Sequence, residues 1–275
     1  DLSCRYGKTV LVFDPGDKIY SIPIQNFIVF HTWQYRFEKK QNEIIIPAIS
    51  EDVGRGRDII RHKNTSHKPS VGFCGWAAFP SVRVFFSAYW RKVVIFFQTI
   101  LTGNKKLFVK NKGLLFRRAI LKKLKRSNRV VSNFIIRKSF GSNKLTIKGS
   151  AEKARAEYID NIANTDFSLA IRGDGNYSIR FYEILSMGRI PVLFDTECVF
   201  PMEKETDYDS IILRINISDI DKIDDKIFEF YDRLSDDDFI ERQRRARDLF
   251  LNELYYPVFL KYLFADKQNI QSLLG

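Results

Sequence analysis

One segment in the second half of the chain carries the residue types best suited to chemistry. A strand-like apolar run, Asp166–Ile171, ends in the two-glycine loop Arg172–Tyr177, and a helix is predicted to begin at Ser178. Such a helix start presents free backbone N–H groups and the positive end of the helix dipole, which suit a phosphate. Arg172 and Arg180 add guanidinium groups that can bind phosphate through paired hydrogen bonds. The pattern predicts a phosphate site at the start of this helix.

Ser178 and Glu183 complete the predicted site. The hydroxyl of Ser178 can cap the helix or touch the ligand. Glu183 lies five residues into the helix, on the face of Ser178 and Arg180, where its carboxylate can accept both hydroxyls of a ribose. Together these residues describe a site for a ribonucleoside diphosphate. The spacing alone is equally typical of a glycine-rich turn with a surface Arg–Glu pair, because the third glycine of the dinucleotide-binding fingerprint is missing.

The order of these residues resembles the hallmark of the exostosin-like glycosyltransferases, family 47. That hallmark is a phenylalanine strand, an Arg-Gly loop, Ser-x-Arg, a glutamate three residues on, and Gly-x-Ile-Pro-Val. The matching residues are Phe167, Arg172, Gly173, Ser178, Arg180, Glu183 and 188–192. The segment 68–75 is similar to the strand and glycine that open the family's donor domain, and Arg83 stands where the family has a phosphate-facing arginine. The resemblance extends from about Lys68 to Pro201, and it is closest to the short soluble members of large algal viruses.

This resemblance implies an α/β fold of GT-B type, in which two Rossmann-like, doubly wound domains face a cleft and the N-terminal domain is small. It implies an inverting, metal-independent enzyme without a cofactor. The expected reaction moves a sugar, a pentose such as xylose, from a UDP-sugar to a glycan or glycoprotein acceptor. The arginines and the helix N-terminus would then neutralise the leaving diphosphate. The implied donor-binding residues are Gly75, Arg83, Arg172, Gly173, Asn176, Tyr177, Ser178, Arg180 and Glu183.

The elements around this site alternate between strands and helices, as in parallel α/β sheets. Apolar runs predict strands at 9–13, 27–30, 43–47, 70–74, 129–136, 166–171, 190–194 and 209–215. Helices are predicted at 80–102, 112–125, 150–163, 178–187, 219–234, 236–251 and 254–273. The polar stretch 61–69 predicts a linker. We therefore predict an acceptor-side domain with its linker at 1–67, a donor domain at 68–253, and a C-terminal helix at 254–275 that can cross back to the first domain.

Charge is distributed unevenly, which restricts the search for a catalytic base. Residues 59–151 contain 21 Lys and Arg and no Asp or Glu, in a chain of net charge +12. An inverting transfer needs a base that takes the proton from the acceptor hydroxyl. At the carboxyl ends of the first domain's strands, the candidates are Asp52, preferred, then Asp14, with Glu51 and His31. Each can equally be a turn or capping residue, and Asp174 is a candidate from the second domain. The family's His-Asp-Trp appears here as His31-Thr32-Trp33.

The basic segment also fits other classes of function. Exposed aromatic side chains in it could stack on nucleic-acid bases. These aromatics fall in apolar helical segments, where we expect them to pack in the core, and no named nucleic-acid motif occurs, so we expect no nucleic-acid partner. The amphipathic segment 112–125 could hold the protein to an anionic membrane. A catalytically silent relative of the exostosin-like enzymes is a further alternative. The aromatics concerned are Phe85, Phe86, Tyr89, Trp90, Phe96, Phe97, Phe108 and Phe116.

Several features bear on location and metal binding. No membrane span is predicted, because two arginines and a lysine interrupt the most apolar window, 82–101. The three cysteines are widely spaced, which favours free thiols. A glycosylation sequon at Asn176 would block the donor loop, which favours a cytoplasmic protein, in the host cytoplasm if the chain is viral. The start at Asp1 leaves room for a removed N-terminal anchor. The acidic run 236–238 follows Ser235 and predicts a helix start rather than a metal site.

Overall fold

The N-terminal part of the molecule is built on a small parallel sheet. The structure is a computed structural model and describes residues 2–17, 19–20, 22–64, 68–138 and 150–274. Residues 65–67 of the predicted linker lie outside this description. The described N-terminal elements are α1 (Leu2–Tyr6), β1 (Val10–Asp14), β2 (Phe27–His31) and β3 (Glu43–Ile45). The three strands pair in the order β1-β2-β3, all parallel.

The remainder of the chain alternates strands and helices around a larger parallel sheet. Short 3-10 helices span Lys105–Lys110, Tyr208–Ser210 and Ile217–Lys222. A π turn, Phe250–Leu254, directly follows the helix Asp236–Leu249. The strands and helices are β4 (Ser70–Trp76), α2 (Val82–Thr102), α3 (Gly113–Lys125), β5 (Val131–Arg137), α4 (Ala151–Ala163), β6 (Phe167–Ala170), α5 (Ile179–Ser186), β7 (Ile190–Asp195), β8 (Leu213–Asn216), α6 (Ile223–Arg233), α7 (Asp236–Leu249), α8 (Tyr256–Ala265) and α9 (Lys267–Leu274).

The strand order of the larger sheet determines where a ligand can bind. The five strands are parallel and run β5-β4-β6-β7-β8. The chain goes from β4 to β5 on one side and then continues with β6 on the other, so the order reverses between β4 and β6. In open α/β sheets, ligands bind outside the carboxyl ends of the strands at such a reversal. The topology therefore places the expected site just after Trp76 and Ala170.

Helices cover both faces of this sheet, as a parallel sheet requires. Along β7, Ile190, Val192 and Phe194 pack into one core with side chains of α3 and α6. Leu193 points to the opposite face and packs into a second core with α5 and the end of α7. The predicted α/β class with parallel sheets is confirmed by this doubly wound arrangement.

The smaller sheet is covered by the end of the chain. Phe30 of β2 and Ile44 of β3 pack against Phe259 and Leu263 of α8, and all four side chains are fully buried. The predicted C-terminal helix is divided into α8 and α9. The backbone of Asp266 between them is extended, with φ −145° and ψ 143°, and its carboxylate accepts a hydrogen bond from the N–H of Gln268 at 2.9 Å. A short acidic side chain that caps a new helix start explains the break.

Helix α2 departs most from the sequence-based expectation. Of the eight aromatic residues expected in the core between positions 85 and 116, Phe116 is buried and the other seven are exposed. The expectation was wrong because α2 contacts the rest of the protein along one narrow stripe that contains the buried residues Ala88 and Ile95. By length and composition alone, α2 could also cross a membrane, which the sequence analysis did not predict.

Candidate functional site

A cavity of about 550 Å³ opens at the carboxyl ends of β4 and β6. This volume lies in the range usual for small-molecule sites. The start of α5 forms one wall, where Ser178 and Ile179 line the cavity, and Trp76 lines it from the end of β4. Among the residues that the structure describes, the charged side chains that line it are the four arginines Arg117, Arg137, Arg155 and Arg180 and the three carboxylates Asp17, Asp174 and Glu183.

Arg180 reaches the cavity because a glycine ends the neighbouring strand. Its Nη2 donates to the carbonyl of Cys74, and its guanidinium lies 4.4 Å from the centroid of the Phe73 ring. A Cβ at Gly75 would lie 2.5 Å from Nη2 of Arg180. A larger residue at position 75 would therefore displace the guanidinium. Gly75 and Arg180, both candidates from the sequence, are brought together at this site.

Arg117 lies on α3, within the amphipathic segment 112–125, and its side chain lines the cavity. Its Nη1 donates to the carbonyl of Trp76 at 3.0 Å and its Nη2 to that of Ile171 at 3.2 Å. Burial, followed by repulsion from Arg180, lowers the pKa of Arg117 to about 10. The Nε atoms of Arg117 and Arg180 are buried without a hydrogen-bond partner among the described residues. The Nε of Arg172, which does not line the cavity, is in the same state, so the preference for an anionic ligand rests on the two positive charges at the cavity wall.

Glu183 is buried at the cavity wall and is already hydrogen-bonded. Tyr158 donates its hydroxyl to Oε2 of Glu183, and Nη2 of Arg155 lies 2.9 Å from Oε1. Burial is the main cause that raises the pKa of the Tyr158 hydroxyl, so this group stays a proton donor at neutral pH. A carboxylate offers about four acceptor positions. Glu183 therefore keeps capacity to accept hydroxyl groups of a ligand.

Three predicted donor-binding side chains are directed elsewhere. Arg172 is buried and donates to the hydroxyl of Tyr35 at 2.7 Å and to the carbonyl of Val109 at 2.7 Å. Asn176 exchanges hydrogen bonds with Thr196. Arg83 is exposed on the first turn of α2 and does not line the cavity. Arg172 and Asn176 thus hold the loop in place instead of facing the cavity, because each finds partners on neighbouring segments.

The remaining residues of the predicted loop do face the cavity. Gly173, Tyr177 and Ser178 line it. Ser178 occupies the N-cap position of α5 but makes no capping bond with its side chain, so its hydroxyl is available to a ligand. Burial and the nearby Asp17 raise the pKa of Tyr177, which is hydrogen-bonded to Asp17 and Thr32. This contact joins the loop after β6 to the turn after β1.

The preferred base candidate, Asp52, is held in an ion pair and does not line the cavity. Nη2 of Arg247 donates to Oδ2 of Asp52 at 2.8 Å, and the two side chains are only 14% and 16% exposed. Arg247 also donates to the carbonyl of Ser186. Both carboxylate oxygens of Asp52 are bonded to this guanidinium and Asp52 does not line the cavity, so its role as the base stays a prediction that this geometry does not favour.

The other base candidates lie at different distances from the cavity. Glu51 is exposed and accepts from Arg155 at 2.7 Å, so it lies at the rim. His31 is buried between two carboxylates, with Nδ1 3.7 Å from Asp14 and Nε2 3.9 Å from Glu43. Neither Asp14 nor His31 lines the cavity. Asp17, which was not a candidate from the sequence, is the carboxylate that the segment after β1 contributes to the lining among the described residues.

The ion pair of Asp52 should contribute to stability. We expect Asp52→Asn to lower the free energy of unfolding by about 2–4 kcal/mol, because it leaves the largely buried Arg247 without its counter-charge. Urea unfolding measures this change. Asp209→Asn is the matched control, since Asp209 forms an ion pair with Arg214 at 2.8 Å but is 69% exposed, and exposed pairs contribute about 0–1 kcal/mol. Equal effects of the two substitutions would contradict the structural role of Asp52.

The acidic run at 236–238 begins a helix as predicted. Ser235 caps α7 by accepting from the N–H of Asp238 at 3.0 Å, and the carboxylate of Asp238 accepts from the hydroxyl of Ser235 at 2.7 Å. This hydrogen bond lowers the pKa of Asp238. Within the described ranges, no group of three or more His, Cys, Asp or Glu side chains is arranged to hold a metal ion.

Comparison with known proteins gives a structural similarity. No protein-family model and no curated protein matches the chain. Among solved structures, the chain is similar to the crystal structure of TarM, with 13% sequence identity and a TM-score of 0.38. The match covers 98% of this chain and 55% of the TarM chain, so the chain spans about half the length of TarM. The resemblance to the exostosin-like enzymes stays a prediction, and we base the proposed function on the residues of the site.

Proposed function

We propose that this protein is a glycosyltransferase that transfers a sugar from a nucleoside diphosphate, UDP first among them, to a hydroxyl of a glycan or glycoprotein. The observation that carries the proposal is the convergence of four guanidinium groups and the N-terminus of α5 on one cavity at the strand-order reversal. Guanidinium groups and free N–H groups suit a diphosphate. The buried carboxylate of Glu183 beside them suits the hydroxyls of a ribose.

The arginines would also assist the reaction itself. Departure of the nucleoside diphosphate leaves negative charge on its terminal phosphate, and cationic donors positioned in advance stabilise that charge. Arg117 and Arg180 each hold a buried Nε without a partner among the described residues. Because both residues line the cavity, their positive charges are suited to stabilise the developing charge. Charge neutralisation by arginine supports the metal-independent mechanism of the proposal.

The proposed base is Asp17. Its carboxylate lines the cavity beside the donor loop, to which it is hydrogen-bonded through the hydroxyl of Tyr177. In the proposed step, an acceptor hydroxyl attacks the anomeric carbon as Asp17 takes its proton, and the bond from that carbon to the diphosphate oxygen breaks. A single displacement of this kind inverts the anomeric configuration. We propose a pentose such as xylose as the transferred sugar.

A thermal-shift panel tests the donor class. We expect UDP and UDP-sugars to raise the melting temperature more than GDP or inorganic diphosphate, with UDP-xylose giving the largest rise among the sugars. A ligand that binds the folded state stabilises it by about 2.7 kcal/mol at a hundredfold excess over its Kd. Stabilisation by a single-stranded oligonucleotide and by no nucleotide would contradict the proposal and favour the polyanion-binding alternative.

A second measurement separates an enzyme from a silent relative. We expect the donor selected by the thermal-shift panel to release UDP when it is incubated with the protein and a mixture of glycan acceptors. Binding without any release of UDP would favour the silent alternative. The carboxylate of Asp17 in the cavity lining supports an active enzyme, because a protein that only binds the donor needs no base there.

A further inference from the structure

Helix α2 presents to solvent the side chains that proteins usually bury. Phe86 is 65% exposed, Trp90 71% and Phe97 57%. Scattered exposed apolar residues are ordinary, whereas a contiguous apolar surface marks an interaction site. The other exposed apolar residues of the helix are Val82, Phe85, Tyr89, Val93, Val94, Phe96, Ile100 and Leu101. They form one continuous apolar face over the whole length of α2, which we call the α2 face.

The α2 face points directly away from the protein. Ala88 and Ile95 are buried against the body of the molecule. With about 100° of rotation per residue, Phe86, Trp90 and Phe97 project from the opposite side of the helix. An ordinary surface helix turns its apolar side inward and its polar side to water. The α2 face instead turns apolar side chains to water, which indicates an interaction site for a partner outside the chain.

Hydrogen bonds hold the first half of α2 to the segment 110–112, which restricts how the helix can meet a membrane. Ser81 caps its start by accepting from the N–H of Val84 at 3.3 Å. Arg91 donates to the carbonyl of Lys110 at 3.2 Å, and Lys112 donates to the hydroxyl of Ser87 at 3.0 Å. A spanning orientation would break these contacts and carry charged side chains into hydrocarbon. A helix that lies along the membrane surface keeps them all.

The positive charges around the α2 face indicate which kind of surface it contacts. Arg83, Arg91 and Lys92 lie on the helix and Lys105 follows it, in the part of the sequence without any Asp or Glu. A second copy of the chain would bring the same cations together, and like charges across an interface oppose association. An anionic membrane attracts each of these cations. Trp, Tyr and Phe are also the side chains favoured at the membrane interface.

We propose that the α2 face docks this protein on the surface of an anionic lipid membrane. Its aromatic side chains enter the boundary between headgroups and acyl chains, and the flanking arginines and lysines contact lipid phosphates. The segment 112–125 does not provide the insertion, because Leu114, Phe116 and Ile120 on its apolar side are part of the core. The proposal is independent of the proposed catalytic function, since it uses no residue of the cavity.

Vesicle co-sedimentation tests the proposal on the full chain. We expect the protein to sediment with vesicles of phosphatidylcholine mixed with phosphatidylserine, and to be released as salt is raised. The triple variant Phe86→Ser, Trp90→Ser, Phe97→Ser should bind these vesicles about tenfold or more weakly, because it removes three aromatic side chains from the inserted face. The substitutions lie on exposed positions, so thermal unfolding should be unchanged.

A matched triple variant controls for a general loss of surface hydrophobicity. Tyr6→Ser, Tyr20→Ser and Ile49→Ser remove side chains that are 63%, 64% and 64% exposed at other places on the molecule, and vesicle binding should persist. If the protein bound vesicles of pure phosphatidylcholine as strongly as vesicles with phosphatidylserine, the proposed attraction to anionic lipid would be overturned. Unchanged binding by the α2 variant would overturn the proposal. If the α2 variant changed the protein from a dimer to a monomer in light scattering and left vesicle binding unchanged, the α2 face would bind a second copy of the chain. This result would also overturn the proposal.

Discussion

Arg117→Met should weaken UDP binding by about 10- to 100-fold, the loss expected for one or two charge-assisted hydrogen bonds. Isothermal calorimetry measures the change in Kd. The reason is the position of Arg117, which spans the ends of two adjoining strands through the carbonyls of Trp76 and Ile171. Arg117 and Arg180 together place two cations at one point of the cavity. A diphosphate is the proposed ligand for that pair.

The same substitution should leave the ligand-free protein nearly as stable as before. The lowered pKa of Arg117 means that the folded protein disfavours its charge relative to the unfolded chain. Methionine keeps most of the volume and removes that charge, which offsets the loss of two hydrogen bonds to carbonyls. We expect the free energy of unfolding to change by less than about 1 kcal/mol. A loss of binding would then not reflect unfolding.

Arg118→Met is the matched control, one residue along α3. Arg118 is exposed, lies over the ring of Phe79 at 4.7 Å, and does not line the cavity. We expect the Kd of this variant for UDP to stay within about twofold of the value for the unsubstituted protein, because Arg118 does not line the cavity. The two substitutions change the net charge equally, so an effect of the general field would appear in both variants. If both variants lost affinity to the same extent, the general field of the basic segment would explain binding and the cavity would not.

Much of the fold could be predicted from residue patterns because those patterns are local. The apolar run at 190–194 and the loop and helix around Ser178 are determined by neighbours in sequence, and the structure has β7 and α5 at these places. The phosphate-suited loop was identified for the same reason, and Gly75 and Arg180 meet in the cavity. These features depend on strand, turn and helix-start preferences, which a single sequence reveals.

The parts that could not be predicted depend on contacts between distant residues. Asp52 was preferred as the base, but its partner Arg247 is 195 positions away and no local pattern shows the pairing. Arg117 and Arg118 are adjacent on one helix and point about 100° apart, and which of the two faces the cavity follows from how α3 packs on the sheet. Helix α2 has a composition typical of a core helix, and its exposure follows from its place at the edge of the fold.

Asp17→Asn should reduce sugar transfer by about a hundredfold or more, the usual contribution of a general base. The measurement is the rate of UDP release with the donor that stabilises the protein and a glycan acceptor. Asn has nearly the same shape as Asp but cannot take the acceptor proton. The matched control is Asp14→Asn in the same turn, whose carboxylate lies beside His31 outside the cavity lining. We expect the transfer rate of this control to stay within about threefold of the rate of the unsubstituted protein, far less than the hundredfold loss expected when a general base is removed.

UDP binding by the same variant distinguishes a base from a donor-binding residue. Asp17 is a negative charge on a cavity wall that would face a diphosphate, so its removal should leave the affinity for UDP unchanged or slightly higher. This is the opposite sign to Arg117→Met, which removes a positive charge from the same cavity. A variant that lost both transfer and UDP affinity would place Asp17 in donor binding. Full transfer by Asp17→Asn would return the role of base to Glu51 at the rim, whose carboxylate lies 2.7 Å from Arg155.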